Sequence, residues 1–237
     1  MKSYILPVLV FAGLTNPQPG FSQQQGVITY ELKMKLMMKN EDDQEPQYIN
    51  GRQQLIFNEN ESLYIPLPDD EDDEFTNGVK MFRAKAPEII MYSNVQQRNT
   101  IEQTEFLGKK YLVTDSLKIG SWKLGTDTKK ILGYDCKMAS WKGDSVHPSL
   151  IAWYTTDLRP FLGPDNANTL PGAILEVDID NGRGTVSAQN IEFRELKKNE
   201  LKAPKGGRLM TRREYEKLVL DEMERMKKNG GNVMIGG

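Results

Sequence analysis

The sequence is poor in the two residue types that most often build metal centres and nucleophilic sites. Its 237 residues include one cysteine, Cys136, and one histidine, His147. A single cysteine excludes an intrachain disulfide, and a single histidine excludes the usual zinc sites that combine several histidines. Cys136 lies in an apparent strand, so we expect a buried structural thiol, with an intermolecular disulfide or a metal ligand as the alternative.

The motifs of the common catalytic sites are also missing. His147 follows Asp144 and Ser145 in a segment that Gly143 and Pro148 predict to be a loop. Three near neighbours in sequence do not reach the geometry of a catalytic triad through proximity alone. The sequence contains no Gly-x-Ser-x-Gly elbow, no phosphate-binding loop and no dinucleotide-binding fingerprint. We therefore expect no catalytic residues and no cofactor.

Charge of one sign is not in excess, since the formal net charge is −2. No basic surplus is present to neutralise phosphates, which argues against a general nucleic-acid or anionic-membrane binder. The acidic run Asp69–Glu74 is short and lacks the spacing of a calcium loop, so we interpret it as a solvated loop rather than a cation site. A calcium loop is also an alternative for Asp178–Gly182, but a hairpin turn explains this segment better.

Long hydrophobic runs are absent after the N-terminus, which itself resembles a secretory signal. Lys2 precedes an apolar run, Tyr4–Leu14, that is too short to span a bilayer. Gly20 and Ser22 suit a cleavage before Gln23. No cysteine follows to carry a lipid anchor, and no later run reaches the roughly 18 residues of a membrane span. These features predict a periplasmic or secreted protein with no membrane span.

Methionine is plentiful, with 11 residues. Met34, Met37 and Met38 cluster, and Met223 and Met226 share one helical face. Thioethers bind Cu(I), but core filling and the apolar face of a helix explain them as well. Paired carboxylates remain a further catalytic alternative, with candidates at Glu176, Asp178 and Glu192.

What the sequence has in quantity is short segments of alternating polarity. Gly26–Met38 alternates over much of its length, and turn residues separate about ten such segments up to Thr155, before the two strands of a final hairpin. This regular spacing predicts a mainly β protein with a single large curved antiparallel sheet, half-barrel or bowl-like in shape. The later segments are 52–58, 62–67, 89–92, 100–106, 110–114, 122–124, 129–132, 134–141, 149–155, 173–178 and 185–193.

The C-terminus follows a different period. Thr211 and Glu214 form a capping box, and helical spacing of apolar residues predicts an amphipathic helix over Arg212–Lys228. A polar segment with Pro204, Gly206 and Gly207 precedes the helix and reads as a linker. The predicted organisation is a signal peptide at 1–22, a β-domain at 23–196, a linker at 197–210, a helix at 211–229 and a tail at 230–237.

The stretch from Trp153 to Phe193 organises the sheet. Pro171 and Gly172 make a corner after which the chain leaves extended, and Asp180–Gly182 reverses it into a long hairpin. The run Leu170-Pro171-Gly172-Ala173-Ile174-Leu175-Glu176 resembles the signature of the GLPGLI family, exported proteins of Bacteroidetes-type bacteria. Gly133–Ala139 and Met210–Lys217 resemble further segments of that family, with Thr169 and Ala173 as departures from its signature.

The resemblance implies an exported β-rich protein with no established reaction. We therefore interpret the chain as a non-enzymatic envelope protein that docks on an outer-membrane or other envelope partner, through the hairpin or the helix. The alternatives are a carrier of an apolar lipid or acyl ligand in the concave face of the sheet, and an enzyme of unknown class. The predicted binding residues are Trp153, Tyr154, Leu170, Pro171, Gly172, Tyr215, Leu218, Val219 and Met223.

Overall fold

A computed structural model describes residues 25–35, 48–68, 89–117, 121–144, 147–165 and 167–228. The predicted signal peptide, the acidic run Asp69–Glu74, Met37, Met38 and the C-terminal tail lie outside the described residues. The described part of the chain contains no helix that is both long enough and apolar enough to cross a membrane.

Twelve strands of the described residues form one curved sheet that does not close into a barrel. The predicted fold class is confirmed: the described part of the protein is mainly β, with one helix following the last strand. Neighbouring strands run in the order β12-β6-β5-β4-β3-β2-β1-β11-β10-β9-β8-β7. The strands are β1 (Gly26–Lys35), β2 (Tyr48–Phe57), β3 (Glu61–Pro66), β4 (Ile90–Asn94), β5 (Asn99–Phe106), β6 (Lys109–Ser116), β7 (Lys123–Ile131), β8 (Tyr134–Trp141), β9 (Leu150–Thr155), β10 (Ala173–Ile179), β11 (Gly184–Phe193) and β12 (Arg208–Thr211).

β1 joins the two halves of the sheet. It pairs antiparallel with β2 on one side and with β11 on the other, with Gly26 opposite both Phe57 and Phe193. A register shift between Thr29 and Tyr30 marks a bulge in the pairing with β11. Because Gly26 lies between these two strand ends, the first residues of β1 and the last residues of β2 and β11 meet at the same end of the central strands.

The connection from β9 to β10 packs against both faces of the sheet. Leu158 and Leu162 from this connection belong to the same buried cluster as Ile28, Phe57 and Leu175. The same connection contributes Ala167 and Leu170 to a second cluster with residues of β8, β9 and β10. Burial of these apolar side chains, worth roughly 1.5–3 kcal/mol for each large one, fixes the connection against the strands.

The helix α1 (Arg212–Lys228) begins and ends at the predicted residues. Its first turn has the predicted capping box: the Thr211 backbone N–H donates to Glu214 Oε2 over 2.8 Å, and the Glu214 N–H donates to Thr211 Oγ1 over 3.3 Å. Tyr215 and Leu218 pack beside the buried cluster of Tyr111, Val113 and Met210.

Two local predictions are wrong. The segments 122–124 and 129–132 form the single strand β7, whose pairing with β8 shifts register between Leu124 and Thr128. Residues 208–210 were assigned to a linker but lie in β12, which pairs parallel with β6. Gln103 Nε2 also donates to the carbonyl oxygens of Lys205 and Gly206, at 2.9 and 2.8 Å. The division of the chain into a β-domain, a linker and a helix stays a prediction.

Candidate functional site

A polar cavity of about 750 Å³ opens at the end of the central strands, where β1 begins and β2 and β11 end. Two hairpin turns, β2–β3 and β4–β5, form one part of its wall, and the end of β11 forms another. Its volume lies within the range of small-molecule sites. The lining residues are Gln25, Asn58, Glu59, Asn60, Glu61, Asn94, Gln96, Phe193, Arg194 and Glu195.

The β2–β3 turn is shaped by the side chain of Asn58. Its Oδ1 accepts the backbone N–H groups of Asn60 and Glu61, at 2.9 and 2.8 Å. The Asn58 N–H donates to the Glu61 carbonyl oxygen over 3.0 Å, which closes the hairpin. An asparagine that bonds the backbone two and three residues ahead is a common turn former. The result is a fixed turn that presents Glu59 and Asn60 to the cavity.

Side chains of β4 hold the carboxylate of Glu61. The hydroxyl of Tyr92 donates to Glu61 Oε1, and the Asn94 side-chain amide donates to the Tyr92 hydroxyl over 3.3 Å. Burial, together with the bond to Glu61, raises the pKa of Tyr92 above its ordinary value, so Tyr92 remains a donor. Asn94 Oδ1 also accepts the Gln97 N–H over 2.8 Å, which fixes the β4–β5 turn.

Phe193 and Arg194 form the opposite wall. The ring of Phe193 meets Phe57 edge to face, with 6.3 Å between the ring centroids. The guanidinium of Arg194 binds the carboxylate of Glu200 through two nitrogens, with Nη1 at 2.9 Å from Oε2. This ion pair lowers the pKa of Glu200 to about 2. Both wall residues are therefore fixed by neighbours outside the cavity.

Arg159 supports the site from the β9–β10 connection. Its Nη2 donates to the Glu61 carbonyl oxygen over 2.8 Å, and its Cζ lies 5.9 Å from the centroid of the Phe57 ring. Burial lowers the pKa of Arg159 to about 10, which still leaves the side chain charged at neutral pH. This contact ties the connection to the wall of the cavity.

The lining suits a neutral polar ligand with amide groups. Among the described residues, the side-chain amides of Gln25, Asn60 and Gln96 make no hydrogen bond and can pair with a ligand. Each amide offers one acceptor and two donors, and Phe193 offers apolar surface beside them. No group of three or more histidine, cysteine, aspartate or glutamate side chains that could hold a metal ion occurs in the described ranges.

The predicted binding residues lie in three separate places, and none of them lines the cavity. Tyr154 and Leu170 pack together in one buried cluster, with Pro171 exposed and Gly172 buried beside them. Trp153 packs on the other face, with Lys129 Nζ 4.4 Å from its ring centroid. Tyr215, Leu218, Val219 and Met223 lie on α1, where none is fully buried.

The cysteine, the histidine and the acidic segment that the sequence offers as further candidates lie in the core, in a loop and in a hairpin turn. Cys136 is fully buried, and burial raises the pKa of its thiol to about 11. His147 lies in a loop, with Nδ1 3.0 Å from both carboxylate oxygens of Asp144 and its ring against Trp141. The Gly182 N–H donates to Asp178 Oδ1 over 2.9 Å, so this acidic segment forms the predicted hairpin turn.

Sequence reasoning missed the cavity. The alternating segments leave 59–61 and 93–99 as connections and end one strand at Phe193, and these patterns indicate no function. The available signal is the concentration of asparagine and glutamine in two turns, at Asn58, Asn60, Asn94 and Gln96. The pairing of β1 with both β2 and β11, which brings these turns beside Phe193, cannot be derived from local patterns.

Comparison with known proteins gives a family and a fold. The model of a family described as "N-glycanase peptide, N-terminal domain" matches residues 46–213. Two solved structures of PNGF-II, in space groups P21 and C2, superpose with TM-scores of 0.55 and 0.56 at 19% and 20% identity. Each match covers 83% of this chain and 33% of the PNGF-II chain. This chain therefore spans about a third of the length of PNGF-II. No curated protein matches.

These findings correct the interpretation drawn from the Pro-Gly corner. The resemblance to the GLPGLI family is wrong, because the matching family model is that of an N-glycanase N-terminal domain and the similar structures are those of PNGF-II. The prediction of a non-enzymatic docking protein, which follows from the lack of a recognised catalytic set beside an amphipathic helix, is also wrong, because the matching family model is that of an N-glycanase domain. Since the matched residues make up most of the sequence, this chain belongs to the family of N-glycanase N-terminal domains.

Proposed function

We propose that the chain acts in the removal of N-linked glycans and that its polar cavity holds the glycan of the substrate. The observation that carries this proposal is the amide-lined cavity of about 750 Å³ in a member of an N-glycanase family. The substrate class is a glycoprotein or glycopeptide with an asparagine-linked oligosaccharide.

The chemistry of the lining supports the carbohydrate. N-linked glycans begin with N-acetylglucosamine units, whose acetamido groups need both a donor and an acceptor. The side chains of Gln25, Asn60 and Gln96 supply both, and the turns that carry Asn60 and Gln96 are fixed before the ligand arrives. A fixed site loses less conformational entropy on binding than a mobile one. The ring of Phe193 can pack against the apolar face of a sugar ring.

The N-terminal sequence supports action outside the cytoplasm. Residues 1–22 have the charged start, the apolar run and the small residues of a secretory signal. An exported enzyme encounters glycoproteins mainly outside the cell, so export would bring this chain to its substrate. Mass spectrometry of the protein recovered from the periplasm or medium should give an N-terminus at Gln23, whereas an intact Met1 would contradict export.

The proposal is tested by calorimetry with two forms of one peptide, one carrying an N-linked diacetylchitobiose and one unglycosylated. We expect binding of the glycosylated form only. The double substitution Asn60→Ala with Gln96→Ala should weaken binding about 10-fold, because each lost hydrogen bond is worth roughly 0.5–1.5 kcal/mol. Gln189→Ala, which changes an exposed amide on β11 outside the lining, is the matched control.

Equal binding of both peptides, or no effect of the double substitution, would contradict the proposal. A parallel assay for freed oligosaccharide separates two roles of the chain. Release by the chain alone assigns the cleavage step to it, whereas binding without release assigns to it the holding of the substrate.

A further inference from the structure

Arg159 contacts both walls of the cavity from outside it. Its Nη2 donates to the Glu61 carbonyl oxygen in the β2–β3 turn over 2.8 Å, and its Cζ lies 5.9 Å from the centroid of the Phe57 ring. The Phe57 ring in turn meets the ring of Phe193, which lines the opposite wall. Arg159 itself is not among the lining residues. One guanidinium therefore contacts the turn directly and the Phe193 wall through Phe57.

The cation of Arg159 has no opposite charge beside it. Its Nη1 donates to the Pro160 carbonyl oxygen over 3.0 Å, and its buried Nε has no hydrogen-bond partner within the described part of the chain. Burial lowers the pKa of Arg159 to about 10, and no carboxylate of the described residues offsets this shift. A partly buried cation without a carboxylate lowers the stability of a fold. Stability alone therefore does not account for an arginine at this position.

The connection that carries Arg159 is strained. Phe161, two residues further on, has a φ of +61°, a region that bulky side chains rarely adopt. The next residue, Leu162, is fully buried, and its carbonyl oxygen accepts the Ile174 N–H over 2.8 Å. Backbone strain of this kind persists only where the surrounding structure fixes it, and it is concentrated at functional sites. The connection therefore presents Arg159 from a rigid base.

We propose that Arg159 is a positioning residue for the glycan, which sets the separation of the two walls without touching the ligand. The inference rests on the proposed function of the cavity and adds a residue outside the lining on which affinity depends. A guanidinium can donate to the Glu61 carbonyl while it lies over the Phe57 ring, whereas the compact ammonium of a lysine cannot make both contacts. Hydrogen bonds weaken steeply with poor geometry, so a displaced wall lowers the affinity.

The test measures affinity for N,N′-diacetylchitobiose by calorimetry and stability by urea unfolding, both on the full chain. Arg159→Met removes the charge and the donor but keeps an unbranched side chain. We expect binding about 10-fold weaker, the equivalent of one hydrogen bond. The urea midpoint should stay close to that of the wild type, because an unpaired cation is removed and the Glu61 carbonyl keeps the Asn58 N–H as a donor. Arg159→Lys, which keeps the charge, should also weaken binding.

Thr169→Val is the matched control from the same connection. The Thr169 hydroxyl accepts the Trp122 indole N–H over 2.9 Å, and neither residue lines the cavity. This variant should lower the urea midpoint and leave the affinity unchanged, because it breaks a hydrogen bond that does not reach either wall. In NMR spectra of the free protein, the Glu61 amide and Phe193 ring signals should shift in Arg159→Met and stay in place in Thr169→Val.

The outcomes separate the two proposals. If the wild type binds the disaccharide and both Arg159 variants bind it equally well, the positioning role is overturned and the proposed function stands. An equal loss of affinity in Thr169→Val and Arg159→Met also overturns the positioning role, since the cause would then be general destabilisation of the connection. Failure of the wild type to bind overturns the proposed function and this inference together.

Discussion

Tyr30 shows how a single residue holds the middle of the sheet. Its side chain is fully buried in β1, and its hydroxyl donates to the carbonyl oxygen of Ile174 over 2.7 Å. Its ring meets Tyr64 edge to face, with 6.2 Å between the centroids. Burial raises the pKa of both tyrosines above the ordinary value of about 10. The folded protein therefore keeps two phenol protons that the unfolded chain gives up in alkali.

This arrangement predicts a loss of stability in alkali. Below about pH 10 both states keep the protons and the free energy of unfolding is at its full value; above about pH 10 it falls by roughly 1.4 kcal/mol per pH unit for each such tyrosine. Tyr30→Phe should flatten the decline by one tyrosine, and should cost about 1–3 kcal/mol at neutral pH because the Ile174 carbonyl loses its donor.

Urea unfolding between about pH 8 and pH 11.5 measures both effects. Tyr48→Phe is the matched control, since Tyr48 is an exposed tyrosine of β2. Identical slopes for the wild type and Tyr30→Phe would show that Tyr30 does not keep its proton in the folded state.

Gly172 illustrates a second residue-scale effect. A glycine that follows a proline can take a positive φ without steric cost, but Gly172 is not among the residues with positive φ. Its role is close approach, because a β-carbon there would overlap the carbonyl oxygen of Thr155. Gly172→Ala should therefore cost up to about 3 kcal/mol, measured as a change in the urea midpoint.

Gly108→Ala is the comparison for that substitution. Gly108 has a φ of +72° and open space around it, so alanine there should cost only about 1 kcal/mol through backbone strain. An equal or larger cost at Gly108 would contradict the explanation for Gly172.

At the scale of elements, the sequence predicts local features better than distant pairings. The capping box and the apolar spacing identify α1 to the residue, and Asp180–Gly182 identifies the β10–β11 hairpin, where all three residues take positive φ. These signals depend on neighbours in sequence. The partners of β1 and β12 depend on strands far away in the chain, and β12 is too short and too polar to show a strand pattern.

The attachment of α1 to the sheet is a testable element-scale contact. Arg212 Nη2 binds the carboxylate of Glu102, a buried residue of β5 with 4% exposure. Removing the cation with Arg212→Met leaves a buried carboxylate without this partner and should cost about 3–5 kcal/mol. Glu102→Gln, which removes the charge and keeps an acceptor, should cost clearly less.

A double-mutant cycle measures this coupling directly. The combined substitution should cost less than the sum of the single ones, because it never leaves a buried charge behind. Strictly additive costs in urea unfolding would contradict a direct ion pair between the helix and the sheet.

At the scale of the whole molecule, one continuous sheet predicts one cooperative unfolding transition. Trp122, Trp141 and Trp153 report on β7 to β9 and their surroundings, whereas helical ellipticity reports on α1 at the far side of the strand order. The pairing of β1 with both halves should make the two probes give the same urea midpoint. Two separate midpoints would contradict a single cooperative unit.

The candidate site also belongs to this scale. Each of its turns is predictable by itself, but the cavity exists only because β1 brings the β2–β3 turn beside the end of β11. The proposed substrate class comes from the family match, because no residue of the cavity carries it as a motif. Only the sheet topology and the family match together give the proposal that the cavity holds an N-linked glycan.

The most direct test of that proposal is an NMR titration of the labelled chain with N,N′-diacetylchitobiose. The side-chain amide signals of Gln25, Asn60 and Gln96 should shift together, along with backbone amides of Asn94 and Phe193, while those of Gln189 and the α1 backbone stay in place. Shifts confined to α1 or to the strands β7 to β9, with the cavity signals unchanged, would contradict the account.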